Sequence, residues 1–245
     1  MISRGIVIAH LLSFGDVFLN LKKTFSKIVQ YYESVNRLFT LGLDSFWRRN
    51  AADSIPRSGV LDILDICCGT GDMLQELKSR FSGRIIGIDF SKPMLDKART
   101  LLKTENLGLT LAEAKHLPFP DETFDVLSIS FATRNLNQSL DTLQTAIKEF
   151  HRVLRRGGLF LNLETTIPQR RPFKYLLEVY TEIIVKTLGR IFTRSKDEYG
   201  FLAESIMSFY TRKRFAQIIG QSGFVQVQWK TLPPGVSVIH WAWKK

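Results

Sequence analysis

Cysteine is nearly missing from this chain: there are two in 245 residues, Cys67 and Cys68. Neighbours in sequence do not bridge each other in a regular element, so no disulfide framework supports the fold, which fits a reducing, cytoplasmic compartment. Proline and glycine are sparse, at 8 and 16 residues, and with 44% hydrophobic and 23% charged residues the composition excludes collagenous, low-complexity and largely disordered chains. Long apolar runs are missing too. The best stretch, Met1–Leu21, is broken by Arg4, His10 and Asp16 and falls short of the ~20 residues that span a bilayer. A secretory signal fits poorly, because Ile6–Leu12 is short and no small-x-small cleavage site precedes Asp16. The four histidines have no spacing that suggests a metal site. Acid is scarce relative to base: 34 Lys and Arg face 23 Asp and Glu, a net charge of +11. That excess points equally to nucleic acid and to an anionic membrane surface.

From position 60 onward, short β-branched runs alternate with helical patterns, the mark of a parallel sheet with crossover helices. Strands are predicted at Val60–Ile66, Arg84–Asp89, Leu107–Ala112, Phe124–Ser130 and Leu159–Glu164, with helices at Asp72–Phe81, Ser91–Lys103 and Ser139–Leu154 between them. Gly157-Gly158 reads as the stop of the last helix. A helix over Thr211–Ser222 and two strands, Val225–Thr231 and Gly235–Trp243, close the chain as an antiparallel hairpin. The fold class is therefore α/β, a doubly wound, seven-stranded and mostly parallel sheet. Two additions frame it: an N-terminal helical segment over residues 1–50, ahead of a main domain over 51–245, and a helical insertion over 168–210. In the first, Val7, Leu11, Phe14, Phe18, Leu21 and Phe25 form one face of a helix, which either docks on its own domain or lies on a membrane.

The run Leu64-Asp-Ile-Cys-Cys-Gly-Thr-Gly-Asp72 puts glycines at the turn from first strand to first helix, where a backbone can approach a ligand closely. A third glycine is lacking and no Gly-Lys-Ser/Thr follows, so neither a pyrophosphate cradle nor a P-loop is indicated. Asp89 ends the second strand, where a carboxylate can accept from ribose hydroxyls. Together these features imply a nucleoside held without phosphates.

An acid, a Gly-x-Gly turn and an acid ending strand two resemble the class I S-adenosylmethionine-dependent methyltransferases. The resemblance extends further. Tyr32-Glu-Ser-Val-Asn36, Leu41-Gly42, Trp47-Arg48, Asp89-Phe-Ser91, Leu117-Pro-Phe-Pro-Asp121, Phe131 with Arg134-Asn135, Arg152-Val-Leu154, Tyr199 and Leu202-Ala-Glu-Ser-Ile206 are similar to the ubiquinone/menaquinone biosynthesis C-methyltransferases, over about residues 25–245. The resemblance implies a Rossmann-like fold, S-adenosyl-L-methionine as cofactor, and methyl transfer to a ring carbon of a polyprenylated quinol, either a demethylmenaquinol or a methoxy-benzoquinol. It also implies a peripheral membrane enzyme, a substrate lid that includes residues 1–50, and room for a homodimer.

Carried over by position, the resemblance implies that Gly69, Thr70 and Gly71 line the methionine and ribose, that Asp89 holds the ribose, and that Met94 covers the adenine. Glu113, Ala114 and Ser130 complete the cofactor set. Glu113 stands where the family usually carries aspartate, and Lys115 where it carries glutamate. Asp65 has two readings, as a cofactor ligand or as the residue that fixes the glycine loop. Arg134 and Asn135 are assigned to orient the quinol oxygen, with Tyr32 and Asn36 as partners; alternatively Arg134 pairs with a helix acid and Asn135 caps a turn. His240 is either a proton acceptor or a structural strand histidine. Phe90 equally suits the core, and Cys67 and Cys68 have the form of packing residues. A nucleic-acid enzyme is the rival reading of the charge, but Ser130-Phe-Ala-Thr-Arg-Asn135 has no proline of the kind amino-directed enzymes carry and no cysteine nucleophile.

Overall fold

Parallel strands buried on both faces need mostly apolar runs, and residues 63–66, 85–89, 124–130 and 159–163 of this chain supply them. A computed structural model describes residues 37, 40–56, 59–102, 107–166, 179 and 209–245. In chain order the elements are α1 (Leu43–Asp53), β1 (Ile63–Ile66), α2 (Asp72–Lys78), β2 (Ile85–Asp89), α3 (Lys92–Leu102), β3 (Leu107–Leu111), β4 (Phe124–Ser130), α4 (Thr133–Leu136), α5 (Leu140–Val153), β5 (Leu154–Thr165), α6 (Arg212–Gln221), β6 (Val225–Leu232) and β7 (Ser237–Trp243). The seven strands form one sheet in the order β3-β2-β1-β4-β5-β7-β6. β1 to β5 pair in parallel, and β7 runs antiparallel to both β5 and β6.

Alternate side chains feed two cores. Leu64, Ile66, Leu127, Ile129 and Phe160 meet Phe150 of α5 and Phe215 of α6 on one face. Ile63, Leu161 and Leu163 meet Trp47 and Ala51 of α1 and Leu74 of α2 on the other. Trp47 also donates from Nε1 to the Pro233 carbonyl at 2.7 Å, which ties α1 to the turn of the β6–β7 hairpin. Arg152 of α5 explains why two motif segments far apart in sequence occur together. Its guanidinium donates to the Leu117 and Phe119 carbonyls at 3.2 and 2.9 Å and to Asp121 Oδ1 at 2.7 Å, clamping the Leu117–Asp121 loop.

Two strand starts differ from the sequence expectation by three residues or more. β1 begins at Ile63 rather than Val60, which is exposed. β5 begins five residues before the expected Leu159, directly after α5. Leu154 pairs with Phe124, the register then shifts, and Gly157-Gly158 lies within this irregular stretch instead of ending the helix. Of the expected insertion helices, all but Val179, Phe209 and Tyr210 lies outside the described residues, and Phe209 and Tyr210 are not helical. Among the described residues no helix is long and apolar enough to cross a membrane.

Candidate active site

The strand order reverses at β1, which is flanked by β2 and β4, and an open α/β sheet binds ligands outside the carboxyl ends of strands at such a point. A cleft lies there, walled by Cys67 and Gly69 after β1, Asp89 at the end of β2 with Phe90 and Met94 beyond it, Glu113–Lys115 after β3 and Ser130–Ala132 at and after the end of β4. Asn135, Leu136 and Gln138 close its far side.

The β1 to α2 turn is shaped by its own hydrogen bonds. Cys68 N donates to the Ile88 carbonyl and Gly71 N to the Cys68 carbonyl, both at 2.9 Å. Cys67, Gly69 and Gly71 adopt φ of 55°, 55° and 93°. A Cβ on Gly71 would sit 2.6 Å from Leu102 Cδ1, the movable end of a side chain, so what calls for glycine here is the left-handed φ of 93°. A Cβ on Gly69 would meet nothing within 4 Å, because Gly69 borders the cleft.

Asp89 is the polar anchor. Its Oδ2 accepts from Gly69 N at 3.0 Å and its Oδ1 from Ser91 N at 2.8 Å, so the carboxylate is aimed before any ligand arrives. Burial raises its pKa while these backbone donors oppose the rise. Each oxygen keeps a lone pair for a hydroxyl. Ser130 Oγ and Asn135 Oδ1, both in the cleft wall, are buried without a hydrogen-bond partner among the described residues. A ligand with several donors and acceptors supplies such partners.

Asp65 and Thr70 lie behind this wall. Asp65, 1% exposed in the middle of β1, accepts from Ser128 Oγ at 2.6 Å and does not line the cleft. Burial pushes its pKa up to about 7, against the Ser128 bond and the charge of Arg48. Thr70 is buried, with Oγ1 3.4 Å from Asp72 Oδ2. Arg48 of α1 joins the group from above, bonded to Asp44 at 2.7 Å and stacked 5.1 Å over the Phe131 ring.

The substrate-side pair is divided by the structure. Asn135 faces the cleft, whereas Arg134 is turned to the sheet, its side chain 7% exposed and its Nη1 2.5 Å from Glu164 Oε1. Its ion-pair partner is thus a strand acid, not a helix acid. His240 is buried between strands, shares a hydrogen bond of 2.9 Å between Nε2 and the Arg212 carbonyl, and stacks edge-on against Phe215. Burial lowers its pKa to about 4, so the ring is neutral and structural. Tyr32 and Asn36 lie outside the described residues.

Sequence reading missed several wall residues. Phe90 faces the cleft rather than the core, and Cys67 lines it while Cys68 packs inward. Lys115, whose charge had no explanation, reaches Gln138 Oε1 at 3.4 Å across the wall, and burial lowers its pKa. Gln138 had no signal in the sequence, since it follows α4 by two residues in an unpatterned loop.

Asp89 at a ribose position, the open face of Gly69, the apolar flank of Phe90 and Met94 and the unpartnered Ser130 fit a nucleoside cofactor without phosphates. Solved structures share the fold. An S-adenosylmethionine-dependent methyltransferase from Thermotoga maritima superposes with TM-score 0.66 at 17% identity, over 92% of this chain and 100% of that one. One from Aquifex aeolicus superposes with TM-score 0.58 at 16% identity, over 86% and 96%. At this distance the likeness shows the fold. Two curated relatives are nearer in sequence: the demethylmenaquinone methyltransferase of Staphylococcus saprophyticus is 32% identical over 90% of this chain and 94% of its own length. That of Staphylococcus aureus is 30% identical over 91% and 92%. The profile of the ubiE/COQ5 methyltransferase family matches residues 18–244, and the chain belongs to that family as an S-adenosylmethionine-dependent methyltransferase.

Proposed function

We propose that the protein methylates a ring carbon of a polyprenylated quinol, demethylmenaquinol in the first place. The observation that carries this reading is the pair of staphylococcal relatives of that name, which match along nine-tenths of the chain. The cleft residues would hold S-adenosylmethionine, which would supply an electrophilic methyl group and leave as the neutral thioether, the displaced ring proton passing to water.

The chain's own residues are assigned as follows. Asp89 and Glu113 accept from the ribose and the adenine amino group. Gly69, Ala114 and Ser130 line the same ligand, Phe90 and Met94 flank the base, and Thr70 and Gly71, which do not border the cleft, shape the turn behind it. Asp65 braces the glycine loop through β1. The oxygen of Asn135 accepts from the quinol hydroxyl, which raises electron density on the ring, and Arg134, its charge paired with Glu164, serves to hold Asn135 in place. Tyr32 and Asn36 assist from the N-terminal segment.

The substrate is dissolved in the membrane, so the protein works at the cytoplasmic bilayer face. Residues His151–Arg214 hold 13 basic and 6 acidic side chains, a net +7 of the total excess. A basic surface near anionic lipid gains about 1 kcal/mol per Lys or Arg, and the gain is salt-sensitive. A homodimer is part of the same reading and is checked by light scattering.

The test is transfer of labelled methyl into a lipid quinol extract. Label confined to water-soluble material, or no cofactor heat in calorimetry, overturns the proposal. Asn135→Ala should lower turnover tenfold or more while cofactor affinity holds within about threefold, since one oriented hydrogen bond in a preorganised site carries at least this much.

A further inference from the structure

α4 has four residues, two of which, Asn135 and Leu136, stand in the cleft wall. A helix of that length has no cooperative stability of its own, so its position is dictated by what grips it. Two side chains of β5 do so. Thr133 Oγ1 donates to Asn162 Oδ1. Glu164 takes the next residue by both ends: its Oε1 accepts from Arg134 Nη1 at 2.5 Å and its Oε2 from the Arg134 backbone N–H at 3.1 Å. Thr165 adds two donors to Oε1, its backbone N–H at 2.7 Å and its hydroxyl at 3.1 Å. Glu164 is 0% exposed and lies beyond the cleft wall.

Burying this ion pair is a poor way to stabilise a fold, because an apolar pair of similar volume does so at no desolvation cost. What the pair provides is geometry. With the backbone of Arg134 fixed to the sheet, the following residue is fixed too, and that residue is Asn135, whose oxygen lies unpartnered in the cleft wall.

We infer that Glu164 is a positioning residue for methyl transfer: it acts through Arg134 to hold the Asn135 carboxamide at the reacting end of the cleft. The inference rests on the quinol reading for its turnover assay, but not for its structural arm. Glu164→Asp keeps the charge opposite Arg134 and shortens the arm by one methylene, so it cannot reach both the guanidinium and the backbone N–H. Glu164→Gln keeps the length and removes the charge.

Displacements on the order of 1 Å cost about a hundredfold in rate. Both variants should therefore lose tenfold to a hundredfold in kcat, with KM and cofactor Kd within about threefold of wild type. In the Asn135→Ala background the same substitutions should cost less than threefold more. The Asn135 side-chain amide resonances should shift in the cofactor-bound Glu164→Asp protein whatever the substrate is. Unchanged kcat and unchanged resonances overturn the role, and so does an equal loss with Asn135 already removed. If Glu164→Gln does not fold, Glu164→Asp decides; failure of both to fold makes Glu164 a residue of the fold and ends the proposal. A wild-type protein that methylates no quinol sinks the substrate reading instead, leaving the resonance shift to judge Glu164.

Discussion

Replacing Asp65 by asparagine should make the protein more stable, and by an amount that depends on pH. Asp65 sits in the middle of β1, and its carboxyl, bonded to Ser128 Oγ at 2.6 Å, has a pKa raised from 3.8 to about 7 by burial, with Asp89 and Asp72 adding to the rise. In the unfolded chain it ionises near 3.8, so between the two values the native state binds more protons than the unfolded state and stability falls as pH rises. The contribution is intact below the unfolded pKa and is lost as pH passes through about 7. At pH 8 the loss amounts to about 4 kcal/mol, and at pH 5 to about 2 kcal/mol. Asparagine keeps an oxygen to accept from Ser128 and carries no proton to lose. The Asp65→Asn protein should therefore gain about 4 kcal/mol over wild type at pH 8 and about half that at pH 5. Urea unfolding of the cofactor-free protein at the two pH values measures this directly. Parallel stability profiles for the two proteins between pH 5 and 8 would refute the reasoning.

The glycine turn should separate binding from folding. Gly69→Ala places its methyl in open space at the cleft and should weaken cofactor binding at least tenfold while costing about 1–2 kcal/mol for left-handed φ. Gly71→Ala strains a backbone at φ of 93° away from the cleft and should lower the melting temperature while leaving cofactor affinity within about threefold; calorimetry and thermal melts of both variants tell them apart. His240 has its pKa lowered from 6.5 to about 4, so its contribution is present above pH 6.5 and is lost as pH falls through about 4. That amounts to about 3 kcal/mol, and acid denaturation of His240→Gln should be correspondingly shallower. Neutralising Arg170, Arg171, Arg190 and Arg194 should release the protein from anionic liposomes in flotation, and binding that survives would return those charges to ordinary solvated surface.

Most of the sheet was legible in the sequence because a doubly buried strand leaves a short, mostly apolar run rich in branched residues. Phe124–Ser130 coincides with β4 residue for residue, and Asp89 ends β2 as expected. β5 was misplaced at its start because a helix that passes into a strand without a loop has no turn signal, and the glycine pair there looked like one. α4 was invisible for another reason. Its four residues cannot show a period, and the bonds that form it come from Asn162 and Glu164, about thirty positions away. The same distance hid the partner of Arg134. The cofactor wall was readable where it is built from strand ends, and was missed at Phe90 and Gln138, where a side chain's direction depends on tertiary packing.

β7 is the last strand of the sheet in chain order, yet it lies inside the sheet, between β5 and β6. During synthesis this order leaves β5 as a bare edge long after its own residues have emerged. Its segment from Leu159 to Leu163 is buried along its whole length in the finished protein, and Leu159 to Thr165 wait for partners that run back from Trp243 to Ser237. An exposed apolar strand edge is a template for pairing with other chains. The nascent protein is thus most open to aggregation while residues 166–236 are being made, and a chaperone that covers β5 would act on the stage at which the sheet is half built.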